Sequence, residues 1–144
     1  MRVMVLVKTT PETEEAAMPS EQALTEMMAF NEELVNAGVM VDGDGLSPSS
    51  RGARVRWESG EVKVIDGPFT ESKELVAGYW LWEVKSLEEA IEYAKRIPNT
   101  DGQDGEVEIR PIIQPEEFGD ALTPELQAKS DELRAKEQEL HPRG

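Results

Sequence analysis

The chain of 144 residues has no cysteine and a single histidine, His141. The first absence excludes disulfides, thiol nucleophiles, iron–sulfur clusters and cysteine zinc sites. The second removes the residue around which most triads, neutral-pH bases and metal clusters are built. Aromatics are sparse at 6%, and 15 basic residues face 30 acidic ones, a formal net charge of -15. A field of that sign repels nucleic acid and anionic membrane, so neither is an expected partner. No apolar run approaches the roughly 20 residues that span a bilayer. Residues 3–7 are too short for the apolar core of a secretion signal, which makes a cytoplasmic location the expectation.

What remains is a globular pattern. Hydrophobic residues make up 38% of the chain and cluster in short periodic runs, enough for one domain with its own core. Residues 3–8 read as a strand buried on both faces. Residues 11–19, with two prolines and three glutamates, read as a loop. Ser20 is a helix N-cap, Leu24, Met27, Met28, Leu34 and Val35 its buried stripe, and Gly38 its C′ residue. Residues 39–41 form a short strand, and Asp42-Gly43-Asp44-Gly45 a turn.

A hairpin follows over residues 54–58 and 61–65, turning at Ser59-Gly60. Residues 75–84 are a strand with Gly78, Trp80 and Trp82 on one face and Tyr79 and Leu81 on the other. Ser86 caps a second amphipathic helix that Pro98 ends, and residues 107–113 are the last strand. This order, with two helices over one face of an antiparallel sheet, predicts an α+β, ferredoxin-like protomer. Its second sheet face needs cover, with Trp80 and Trp82 or their neighbours on it, and a homodimer would supply that cover. Thr123-Pro124 opens an extra C-terminal helix, so residues 1–118 read as the domain and 119–144 as a helical extension. Leu126, Leu133 and Leu140 recur once per heptad, too narrow a seam for an independent coiled coil.

Charge is uneven along the chain: no basic residue lies between Lys8 and Arg51, whereas Arg51, Arg54, Arg56 and Lys63 follow closely. The simplest reading is an acidic helix face beside a basic hairpin, each solvated.

Several motifs together resemble a known family. Asp66-Gly67-Pro68-Phe69-Thr70-Glu71-Ser72-Lys73-Glu74 is similar to the signature of the DGPF subgroup of YCII-related proteins. Residues 37–41, Gly43-Asp44-Gly45-Leu46, Gly78-Tyr79-Trp80 and Glu108-Ile109-Arg110-Pro111 match that pattern in the same order. The resemblance implies a ferredoxin-like protomer that forms a dimeric α+β barrel. It also implies kinship with small lyase-like or dehalogenating enzymes that use a His–Asp pair, but no histidine precedes position 141 here. A regulatory setting beside an extracytoplasmic-function sigma factor is the third implication, and it rests on association alone.

The candidate site residues follow from chemistry. Asp66-Gly67-Pro68-Phe69 is first a turn, in which aspartate accepts backbone N–H groups, glycine permits positive φ and Phe69 folds back as a plug. Its functional reading places the Asp66 carboxylate at the mouth of a cleft as a general base, its pKa raised if it lies beside Phe69 or Trp80. Asp44 is a second pocket carboxylate. Gly78 permits close approach to its strand, beside Tyr79. Arg110, a lone cation on an apolar strand, is either in an ion pair or a fork for a substrate carboxylate. Trp57, Trp80 and Trp82 belong to core or interface before ligand platform.

Other motifs fail. Counted from Asp42, the fifth and twelfth positions of a calcium loop fall on Leu46 and Ala53. Gly43-x-Gly45 lacks a third glycine and a following helix, so it is no dinucleotide fingerprint. Thr70-x-x-Lys73 has no companion motif, and Lys73 is expected to pair with Glu71 or Glu74. Ser47, Ser49 and Ser50 have no base in sequence reach. The expectation is therefore a small-molecule-binding homodimer without cofactor or metal, its ligand an organic acid or a phenol, bound near Asp44, Asp66, Gly67, Pro68, Phe69, Gly78, Tyr79, Trp80 and Arg110. The alternative is a lyase, isomerase or dehalogenase that uses Asp66 as base and Tyr79 or Arg110 to steady the anion.

Overall fold

The computed structural model describes residues 1–14, 18–72 and 74–142. The chain divides into two compact units, Met1–Ile112 and Ile113–Gly144. The first contains β1 (Arg2–Thr9), α1 (Pro11–Glu14), α2 (Glu21–Asn36), β2 (Met40–Gly45), β3 (Ala53–Glu58), β4 (Glu61–Asp66), β5 (Leu75–Glu83), α3 (Leu87–Ala94) and β6 (Val107–Pro111). The fold is α+β, with a four-stranded sheet in the order β2-β5-β1-β6 and a separate hairpin of β3 and β4. Every strand pairing is antiparallel. That order is compatible with a ferredoxin-like arrangement. No helix among the described residues is long and apolar enough to cross a membrane.

Strand alternation sorts the sheet into two faces. Val3, Val5, Trp80 and Trp82 are buried and join Phe30 and Leu34 of α2 and Ala90 of α3 in one core, so both helices cover the same face. A fully buried side chain of this size contributes about 1.5–3 kcal/mol of burial free energy. Phe30 is the keystone, edge-on to Trp80 and Trp82 at ring-centroid distances of 5.9 and 6.5 Å. The opposite face carries Met4, Leu6, Tyr79 and Leu81, all half-buried, so Trp80 and Trp82 are not the uncovered pair. β1 is therefore fully buried only at Val3 and Val5, on its odd-numbered face.

The sequence placed α2's stripe off its true position. Met27, Phe30 and Leu34 face the sheet, while Leu24, Met28 and Val35 are exposed. The sheet accepts a narrow seam, and the large ring of Phe30 sets its rotation. The helix ends as expected: Ser20 Oγ accepts from Ala23 N–H at 3.1 Å. Gly38, at φ 72, closes the other end, with Val39 N–H donating to Leu34 carbonyl at 2.9 Å and Gly38 N–H to Val35 carbonyl at 3.0 Å.

Two loop expectations also change. Pro11–Glu14 is a single helical turn, started by proline at its first position. Asp42–Gly45 continues β2 rather than turning, with Gly43 opposite Trp80 and Gly45 opposite Gly78. A Cβ on Gly43 would lie 2.8 Å from Trp80 Cδ1, so the indole occupies the place of the missing side chain. An aromatic laid over an edge-strand glycine compensates for its poor strand propensity.

The hairpin matches its prediction, with Ser59 at φ 52 and Gly60 at φ 79 forming the two-residue turn. Its paired residues give one face to Val55, Val64, Trp57 and Val62, and the other to Arg54, Ile65, Arg56 and Lys63.

The second unit holds a 3-10 segment, Pro115–Ala121, broken at Gly119, and α4 (Pro124–Leu140). Thr123 caps α4 by accepting from Leu126 N–H at 3.2 Å. Leu126, Leu133 and Leu140 are all more than half exposed.

Candidate functional site: two cavities along β5

Leu75 to Trp80 runs past two cavities in succession. The larger, about 380 Å³, has Gly43, Gly45 and Gly78 as its floor, with Met27 and Asn31 of α2 on its wall. These glycines share the helix-facing side of the sheet, where the absence of side chains leaves the space. A Cβ on Gly78 would meet Asp44 carbonyl oxygen at 3.0 Å, whereas one on Gly45 would meet nothing within 4 Å.

Trp80 Nε1 donates to Asn31 Oδ1 at 2.9 Å. Indole N–H is a donor only, so this bond fixes the amide's orientation and leaves the Asn31 Nδ2 hydrogens for another acceptor. Asp44 and Tyr79 also border this cavity, but strand alternation turns their side chains to the opposite sheet face, where Tyr79 Oη donates to Asp44 Oδ2 at 3.3 Å. An apolar body with one oxygen acceptor suits such a lining.

The smaller cavity, about 280 Å³, lies at the Asp66–Phe69 turn and is lined by Glu14, Leu46, Ser49, Arg54, Phe69 and Leu75 among others. Three distant segments meet here. Ser49 N–H and Oγ donate to the two oxygens of Glu14, at 2.9 and 2.6 Å. Phe69 N–H in turn donates to Ser49 Oγ at 3.2 Å. The Gly67–Pro68 peptide bond is cis, and a Cβ on Gly67 would lie 1.7 Å from Ser49 carbonyl oxygen. Gly67 is thus required by close approach. The guanidinium carbon of Arg54 sits 3.8 Å from the centroid of the Phe69 ring.

The nine residues singled out in the sequence do not form one cluster. Asp44, Gly78, Tyr79 and Trp80 line the glycine cavity, and Phe69 lines the turn cavity. Asp66 ends β4, is exposed, and lines neither. Gly67 and Pro68 shape the turn without lining either cavity. Arg110 lies on the opposite sheet face beside Met4, 70% exposed at its side chain, and pairs with Glu108 at 3.3 Å. Lys73 lies outside the described residues. Ser49 does have a carboxylate in reach, Glu14, which a separation of 35 positions hides from any motif reading. Asn31 and Arg54 were missed as site residues. Arg54 alone left a trace, as part of the basic run.

An antiparallel sheet with two helices on one face defines a small α+β protein, compatible with a ferredoxin-like fold. The chain belongs to the YCII-related family, whose domain model matches residues 1–116. It is also 34% identical over 92 residues to an uncharacterised protein of Rhizobium meliloti (strain 1021), covering 64% of this chain and 74% of that protein.

Proposed function

We propose that this YCII-related protein is a small-molecule-binding homodimer whose principal ligand, an uncharged phenol or a similar aromatic carrying one oxygen acceptor, occupies the glycine cavity. The observation that carries this reading is the Trp80–Asn31 bond. It orients an amide donor in a cavity whose floor is side-chain-free. No cationic side chain lines this cavity among the described residues, which selects the uncharged phenol over the organic acid. Homodimerisation is supported by the half-buried Met4, Leu6, Tyr79 and Leu81 on the face opposite the helices, which a second copy's sheet would cover.

A thermal-shift series with phenol and substituted phenols tests the site, using Gly45→Val beside the wild type. Gly45 has no positive φ and an open Cβ direction, so valine fills the cavity without strain. At 100 times its dissociation constant a ligand stabilises by about 2.7 kcal/mol, a shift of several degrees. The expected result is a shift in the wild type that Gly45→Val abolishes. A shift that survives in Gly45→Val, or no shift in either protein, defeats the reading.

A further inference from the structure

We infer that the cavity at the Asp66–Phe69 turn is a second, separate binding site, which takes a small monocarboxylate with an apolar body and holds its carboxylate on Arg54. In a chain with twice as many acidic as basic residues, Arg54 has no ion pair among the described residues. Its guanidinium carbon lies over the Phe69 ring instead. The backbone that carries this ring is tied down: Phe69 N–H donates to Ser49, and Ser49 is tied through two bonds to Glu14. Gly67 N–H adds a bond to Gly52 carbonyl at 3.1 Å, which joins the turn to the start of the hairpin.

A guanidinium held over a ring face by cation–π attraction spends none of its N–H groups on that contact, so they stay free for a carboxylate, which they match bidentately. Holding it there in advance removes much of the side-chain ordering cost of binding. Leu46, Leu75 and Val76 supply apolar wall for the ligand's body. About 280 Å³ is below the usual range for drug-sized ligands, which limits that body to a short chain or one ring. Glu14 and Glu74 line the same cavity and oppose any anion, so only a carboxylate seated directly on Arg54 is retained and a second negative charge is repelled.

Isothermal titration with sodium hexanoate and with hexanamide tests the site on the intact protein. Hexanoate is expected to bind, hexanamide at least tenfold more weakly, and Arg54→Gln to lose at least tenfold in hexanoate affinity with its circular dichroism unchanged. Should Arg54→Gln not fold, Arg54→Lys decides. It retains the charge but not the fork, so a severalfold loss supports the site and an unchanged affinity overturns it. Equal binding of acid and amide, or no hexanoate binding by the wild type, overturns it too. Gly45→Val is expected to bind hexanoate normally. Loss there would move the carboxylate to the glycine cavity and end the two-site reading.

Discussion

Trp80 gives its indole N–H to Asn31 at 2.9 Å, while Trp82, two residues on and wholly buried, has no partner for its Nε1 among the described residues. Both rings lie in one core, 5.7 Å apart. A buried donor without an acceptor costs about 1–3 kcal/mol, so Trp82 stabilises the fold by less than its area implies. Trp80→Phe is expected to cost about 1 kcal/mol more than Trp82→Phe relative to the ring area each removes. Urea titration of the two variants measures this. Equal costs per unit of buried area would refute it.

Gly38 and Gly67 are both required, for opposite reasons. At Gly38 there is open space but φ is 72, so Gly38→Ala should lose about 1 kcal/mol through backbone strain alone. At Gly67 the obstacle is the Ser49 carbonyl, so Gly67→Ala should lose at least about 2 kcal/mol and displace the turn. Denaturation midpoints should separate the two. Hydrogen exchange at Phe69 N–H should rise only in Gly67→Ala.

Ser49 joins α1 to the turn, so Ser49→Ala is expected to lose about 1–3 kcal/mol, because Glu14 loses one donor and Phe69 N–H its acceptor. Glu14→Gln should lose less, since an amide oxygen can still accept from Ser49. A double-mutant cycle between positions 14 and 49 should return a coupling of about 1 kcal/mol, and additivity would show the bridge to be inert.

Leu81→Glu puts a charge in the middle of the uncovered sheet face, between Met4 and Asp42 in register. Sedimentation velocity is expected to find a dimer for the wild type and a monomer for the variant. A wild-type monomer at tens of micromolar would remove this face as an interface.

The parts of the fold visible in sequence were those written in local chemistry. Ser20, Ser86 and Thr123 all cap helices through their hydroxyls, and Ser59-Gly60 turns the hairpin. What escaped depends on contacts across the chain. Gly43 and Gly45 resemble a turn until their pairing with Trp80 and Gly78 of β5 is seen, and only Phe30 reveals which side of α2 faces inward. The site was less visible still. Asn31 becomes a positioned donor only through a tryptophan 49 residues away, and Arg54 an anion receptor only through Phe69.

The hairpin's outer face has an optical consequence. Trp57 is 76% exposed, whereas Trp80 and Trp82 are 5% and 0% exposed. Acrylamide should therefore quench one emitter of three and leave a blue-shifted pair. The hairpin, which forms its own two-stranded sheet, and the core beneath α2 thus carry separate intrinsic dyes, and the opening of either can be timed without attaching a label.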